Sequence, residues 1–183
     1  MTIKNAKTIQ EALMHIGASD LNTDLLQIVS LEDLLAMNMD RENPRLAFRS
    51  AWAVEHILLK HTDLLAQVYP TILSQYNQLE NWSCLRSYTK LIMWMLGREN
   101  KRISLTENEQ ESILDKTFSI VEDPECPVAV LVNGLDILFL LSVEMKWLRT
   151  ELRMLVDFHL EKEATPALKS RGSMLLKKLT KLN

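Results

Sequence analysis

The stretch that decides the fold is ENPRLAFRSAWAVEHIL, residues 42–58. Asn43 is a residue type that caps helices, and Pro44 follows at the first helical position, where a proline loses no needed hydrogen bond. From there the small and apolar residues return at helical spacing. At about 100° per residue, Ala47, Ala51, Val54 and Leu58 gather on one side, while Arg45, Arg49, Trp52, His56 and Lys60 lie opposite. One side asks to be covered by a neighbour. The other is a basic strip with an aromatic residue in it.

The same beginning returns along the chain. NWSCLRSYTKLIMWML starts at 81, EDPECPVAVLVNGLDIL at 122 and ATPALKSRGSMLLKKL at 164. In the first, third and fourth stretches a polar residue and a proline precede Phe48-Arg49, Val128-Ala129 and Ser170-Arg171; the second lacks the proline but supplies Leu85-Arg86. The matching positions 49, 86, 129 and 171 are separated by 37, 43 and 42 residues, the period of a two-helix repeat.

With Asn43-Pro44, Phe48-Arg49 and Trp52-Ala53 carrying the pattern best, and Thr165-Pro166 with Arg171 next, the chain resembles the HEAT and armadillo-like family of helical repeats. The turn Asp of that family occurs only as Asp123, Ala129 stands at the Arg position of the third stretch, and Trp82 stands where Pro is usual. The resemblance implies an all-α chain, a right-handed α–α superhelix of about four helix pairs with N-terminal capping helices. It implies a single domain over 1–183, with a cap at 1–19 and repeats at 20–61, 62–97, 105–142 and 143–182. Its concave face would be made by the second helix of each pair.

Composition agrees with a helical chain. Its 183 residues suffice to bury roughly 70% of the unfolded surface, and four Gly with five Pro leave little material for hairpins. Periodicity predicts helices at 8–16, 21–29, 31–37, 44–60, 63–69, 71–79, 82–96, 107–121, 125–141, 144–161 and 166–179. Pro44, Pro124 and Pro166 read as first-turn prolines, Ser30 with Asp33 and Thr106 with Glu109 as capping pairs, and Pro70 as a break between two helices. Residues 97–102, Gly-Arg-Glu-Asn-Lys-Arg, read as a loop. The apolar run at 128–143 is broken by Asn133, Gly134 and Asp136 and is too short to span a bilayer comfortably, so it reads as a buried helix and no membrane association is expected.

The N-terminus has no uninterrupted apolar core or cleavage signature, and Cys84 and Cys126 show no Cys-x-x-Cys spacing, so a reducing cytoplasm is expected. The 24 acidic residues outnumber the 21 basic ones, yet Lys169, Arg171, Lys177, Lys178 and Lys181 crowd the last 20 positions without an acid.

Carrying the register of the first stretch along the chain puts Trp82, Arg86, Lys90 and Met93 on the matching side of the second, and Arg171, Met174 and Lys178 on that of the fourth. The third supplies Glu125, Ala129, Val132 and Asp136. The candidate partner-binding residues are therefore Arg45, Arg49, Trp52, His56, Trp82, Arg86, Lys90, Arg171 and Lys178, cations for carboxylates or phosphates and flat rings for contact area. A structural reading stands beside this one. In the resembling family an Arg at the position of Arg49 pairs with a turn acid of the adjacent repeat, and Asp40, Glu42 and Asp123 are available acids. Trp94, Trp147 and most of the nine Met are expected in the core.

His15, His56, His61 and His159 form no metal spacing, and the chain has neither a Gly-rich phosphate loop nor a Gly-x-Ser-x-Gly elbow. Neither a metal nor a cofactor is expected. The expected function is a non-enzymatic scaffold for a protein or peptide. The alternative is a nucleic-acid binding or repair module resembling HEAT-like DNA glycosylases, for which Arg49, Trp52 and Asp136 supply the residue types; the acidic balance speaks against it.

Overall fold

The computed structural model describes residues 9, 13–14, 23–162 and 165–182. Among these, all regular structure is helical: a 3₁₀ turn at Thr23–Gln27, then α1 (Leu31–Met37), α2 (Pro44–Lys60), α3 (Thr62–Gln78), α4 (Trp82–Leu96), α5 (Glu107–Glu122), α6 (Val128–Leu141), α7 (Leu148–Lys162) and α8 (Pro166–Thr180). No described helix is long and apolar enough to cross a membrane. The cap expected at 1–19, with its helix at 8–16 and His15, lies outside the described residues except for Ile9, Leu13 and Met14.

The helix starts follow from capping chemistry. The Ser30 hydroxyl accepts the Asp33 N–H at 3.0 Å, the Asn43 amide oxygen accepts that of Leu46 at 3.1 Å ahead of Pro44, and Thr106 with Glu109 forms a reciprocal capping box. Thr165 caps α8 ahead of Pro166. The start of α4 needs no proline, because the Asn81 side-chain oxygen accepts the N–H groups of Ser83 and Cys84. Each device satisfies donors that the first turn would otherwise leave unpaired.

Four sequence expectations are corrected. The helix predicted at 21–29 is the short 3₁₀ turn Thr23–Gln27. Pro70 does not break α3, which runs through it from Thr62 to Gln78; Pro70 is exposed, so water can serve the carbonyl four residues back that loses its helical N–H. Pro124 does not open a helix: Asp123 ends α5, a turn carries 124–126, and α6 begins at Val128 behind Pro127, whose ring disfavours helical backbone at Cys126. The helix predicted from 144 begins at Leu148, after turns that follow the end of α6.

The chain divides into two compact units, Met1–Leu91 and Ile92–Asn183. In the first, α2 packs against α1 and α3. Ala47, Ala51, Val54 and Leu58 are all buried as the helical spacing requires, and the Ser50 hydroxyl donates to the Leu34 carbonyl at 2.7 Å across the α1–α2 contact. The beginning of α4 lies beside the beginning of α2, since the Asn81 amide donates to the Pro44 carbonyl at 3.3 Å. Further along both helices, Lys90 meets Glu55. Two contacts in the same order make α2 and α4 parallel.

The second unit is organised around α6, the most apolar helix, which touches α5, α7 and α8. Gly134 permits the close α5 contact: a Cβ there would stand 2.5 Å from a Val121 methyl. Here too a helix and its second successor run parallel. Asp136 of α6 meets Arg171 of α8, and later in both helices the Lys178 ammonium lies 5.3 Å from the Phe139 ring centroid.

The expectation that Trp147 and most of the Met are core is also corrected. Trp147 is 59% and Met154 54% exposed, and of the described Met only Met95 is buried. Trp94 is half-buried.

Candidate functional site

On α2 the residues opposite the packed stripe form a stacked row. The Arg49 guanidinium lies 4.7 Å from the Trp52 ring centroid, and the Trp52 ring meets the His56 ring edge-on at 5.0 Å. Each step is a helical neighbour, so the backbone itself sets the stack. His56 Nδ1 lies 3.0 Å from the Trp52 carbonyl; a carbonyl only accepts, so Nδ1 carries the proton and Nε2 is the acceptor of the neutral ring. Arg49 is held from its other side by a 2.8 Å hydrogen bond from Nε to the Leu13 carbonyl. Trp52 and His56 stay half-exposed, and Arg45 at the head of the row is exposed.

The remaining candidates of the first unit divide. Lys90 is engaged: its ammonium lies 2.5 Å from the Glu55 carboxylate, which is buried. Trp82 lines a shallow cleft of about 530 Å³ with Met39, Pro44, Leu79 and Asn81, and Arg86 is exposed on α4.

In the second unit Arg171 reaches Asp136 with two nitrogens, Nε at 2.6 Å and Nη2, both on Oδ2. Burial pushes the Asp136 carboxyl above its ordinary range, while the Arg171 hydrogen bond and charge, with the charge of Lys178, pull it back. Lys178 caps the Phe139 ring and lines a cleft of about 920 Å³ with Ile103, Leu105, Phe139, Arg98 and Lys181.

Two features of the second unit were not read from the sequence, one holding Val143 and Leu182 of that cleft and one within its wall. Arg149 donates to the carbonyls of Ser142, Val143 and Leu182, tying the end of α6 to the end of the described chain. Asn100 organises the 97–105 loop, donating to the Met95 and Ile103 carbonyls and accepting the N–H groups of Arg102 and Ile103. The Asn within a charged loop is a visible signal for the second; nothing local marks the first.

Burial pushes both Cys84 and Cys126 up to about 12, so neither is a thiolate near neutral pH. Burial also lowers the His159 ring, against a hydrogen bond with the Val121 backbone. Among the described residues no group of three or more His, Cys, Asp or Glu gathers where it could hold a metal ion. No family model, no curated protein and no solved structure matches the chain.

Proposed function

We propose that the protein is a non-enzymatic helical-repeat scaffold, its helix pairs arranged as in HEAT and armadillo-like repeats, which holds a protein or peptide partner on the second helices of those pairs. The parallel course of α2 with α4, and of α6 with α8, supports the repeat reading, because stacked repeats lay equivalent helices side by side in one direction.

The observation that carries the binding reading is the Arg49–Trp52–His56 row with Arg45 at its head. It presents a flat ring already oriented by its neighbours, so little side-chain freedom is lost when a partner covers it. Its chemistry suits an acidic or aromatic segment. Lys90 and Arg171 are better understood as structural, since each neutralises a buried acid. The nucleic-acid reading gains no support from Asp136, which is buried and bonded to Arg171.

Affinity purification from the native lysate tests the reading, with wild type beside Arg45→Glu/Trp52→Ala shown to be folded by circular dichroism. A protein retained by the wild type and lost by the variant is expected. Equal retention overturns the assignment of the row, and nucleic acid retained by the wild type and released by moderate salt replaces the reading with the alternative.

A further inference from the structure

The cleft of about 920 Å³ in the second unit gathers cations beside apolar side chains. Its volume falls in the range of small-molecule sites, about 300–1,000 Å³. Ile103, Leu105, Phe139 and Leu140 supply apolar lining. Arg98 lines it from the 97–105 loop, and Lys178 and Lys181 line it from the end of α8, against one acid, Glu144. All four charged residues are exposed, and among the described residues none of the three cations is in an ion pair. The Lys178 ammonium stands over the Phe139 ring. Asp136, the buried acid whose carboxyl also feels Lys178, is already held by Arg171. Like charges kept together without partners repel one another, and an anion relieves that cost.

The remaining charges of these segments do not reverse the balance. The loop adds Lys101 and Arg102 against Glu99, α8 adds Lys177, and the turn after α6 adds Lys146, none of them lining the cleft. The first turns of α5 carry Glu107, Glu109 and Glu111, but the residue there that lines the cleft is Gln110, and Glu109 is bound in the capping box.

Helix ends limit the charge of the anion. The last residues of α4, α6 and α8 reach the cleft, and helix C-termini carry partial negative charge. Carbonyls at these ends are occupied from within the protein: Arg149 donates to Ser142, Val143 and Leu182, and Asn100 donates to Met95. The partial charges still offset part of the three cations. A singly charged head therefore matches the cleft better than a doubly charged phosphate, and the apolar lining asks for a chain behind that head.

We propose that this cleft binds a small amphiphilic monoanion, an alkyl carboxylate, with its head among Arg98, Lys178 and Lys181 and its chain on Ile103, Leu105, Phe139 and Leu140. The site shares no residue with the row on α2 and takes a different class of ligand.

Isothermal titration calorimetry of the full chain with decanoate, kept below its micelle concentration, tests the assignment. Acetate removes the chain, and decyltrimethylammonium reverses the charge of the head. Decanoate alone is expected to bind. Arg98→Glu/Lys181→Glu changes only exposed side chains outside any ion pair and, shown to be folded by circular dichroism, is expected to weaken decanoate binding about tenfold or more. Lys146→Glu/Lys169→Glu, which makes the same change of net charge away from the cleft lining, is expected to leave it unchanged. Absence of decanoate binding, or equal binding of decyltrimethylammonium by the wild type, overturns the proposal. So does an unchanged affinity of Arg98→Glu/Lys181→Glu, or an equal loss in both variants, which would assign the attraction to overall charge rather than to the cleft.

Discussion

The two units hold parallel helices together with the same kind of device built from different parts. In each, a cation on the later helix meets a buried acid 35 residues earlier. In the first unit the cation is a lysine, one ammonium on a flexible stem, with 39% of its side chain exposed against 5% for Glu55. In the second it is an arginine, whose planar fork sets two nitrogens on one Asp136 oxygen, with exposures of 36% and 8%. Nor are the pairs equivalent in the repeat. Arg171 occupies the position that aligns with Arg49 and Arg86, whereas Lys90 stands about one turn beyond Arg86. The period brings the helices side by side. Which residues then pair depends on where an acid has been buried.

The sharpest way to break the comparison is to remove the arginine. Arg171→Ala leaves Asp136 buried with Lys178 as the remaining cation acting on it. The expected loss is about 3 kcal/mol, the low end of the cost of breaking a buried pair, because over a third of the Arg171 side chain already touches water. Urea unfolding measures it. Adding Asp136→Asn removes the stranded charge and is expected to restore much of the loss; a failure to restore would place the value of Arg171 in packing rather than charge.

Lys90→Ala is expected to cost less, about 1–2 kcal/mol, since Glu55 can recruit water through the space the long side chain vacates. The same urea experiment compares the two variants directly. A Lys90→Ala loss equal to that of Arg171→Ala would mean that fork geometry adds nothing and that burial of the acid alone sets the cost.

The sequence made α1, α2 and α4 legible to the residue, because their ends are written in local chemistry: Ser30 beside Asp33, Asn43 before Pro44, and a polar Asn81. Pro70 and Pro124 misled for the opposite reason. A proline's effect on a helix depends on whether its face meets water, as at Pro70, or on a second proline downstream, as at Pro127. The row on α2 could be placed because it lies on one helix, where a wheel suffices. The ion pairs could not. The acids that looked available were the turn acids Asp40, Glu42 and Asp123, yet the buried partners are Glu55 and Asp136 in mid-helix. Asp40 and Asp123 instead accept backbone N–H groups of their own turns. Trp147, just before α7, and Met154 on it escaped because hydrophobicity alone does not say which apolar residues the fold covers.

The smallest expected effect concerns acid, and it belongs to the second unit. His159 is half-buried, its Nε2 is buried without a hydrogen-bond partner, and burial lowers its pKa below the ordinary 6.5, with Lys162 acting in the same direction. The unfolded chain therefore takes up this proton before the folded chain does. The contribution is whole above the unfolded value and declines as pH falls from 6.5 toward the lower folded one. Asp136 cannot produce the same decline. Its folded pKa is raised, so its protonation on acidification favours the folded state. Thermal melting at about pH 7 and about pH 5 is expected to show a lower midpoint at the acid end, and His159→Gln to flatten that difference. If wild type and His159→Gln lose the same number of degrees, the acid sensitivity comes from other groups, and burial of the His159 ring costs the second unit nothing on protonation.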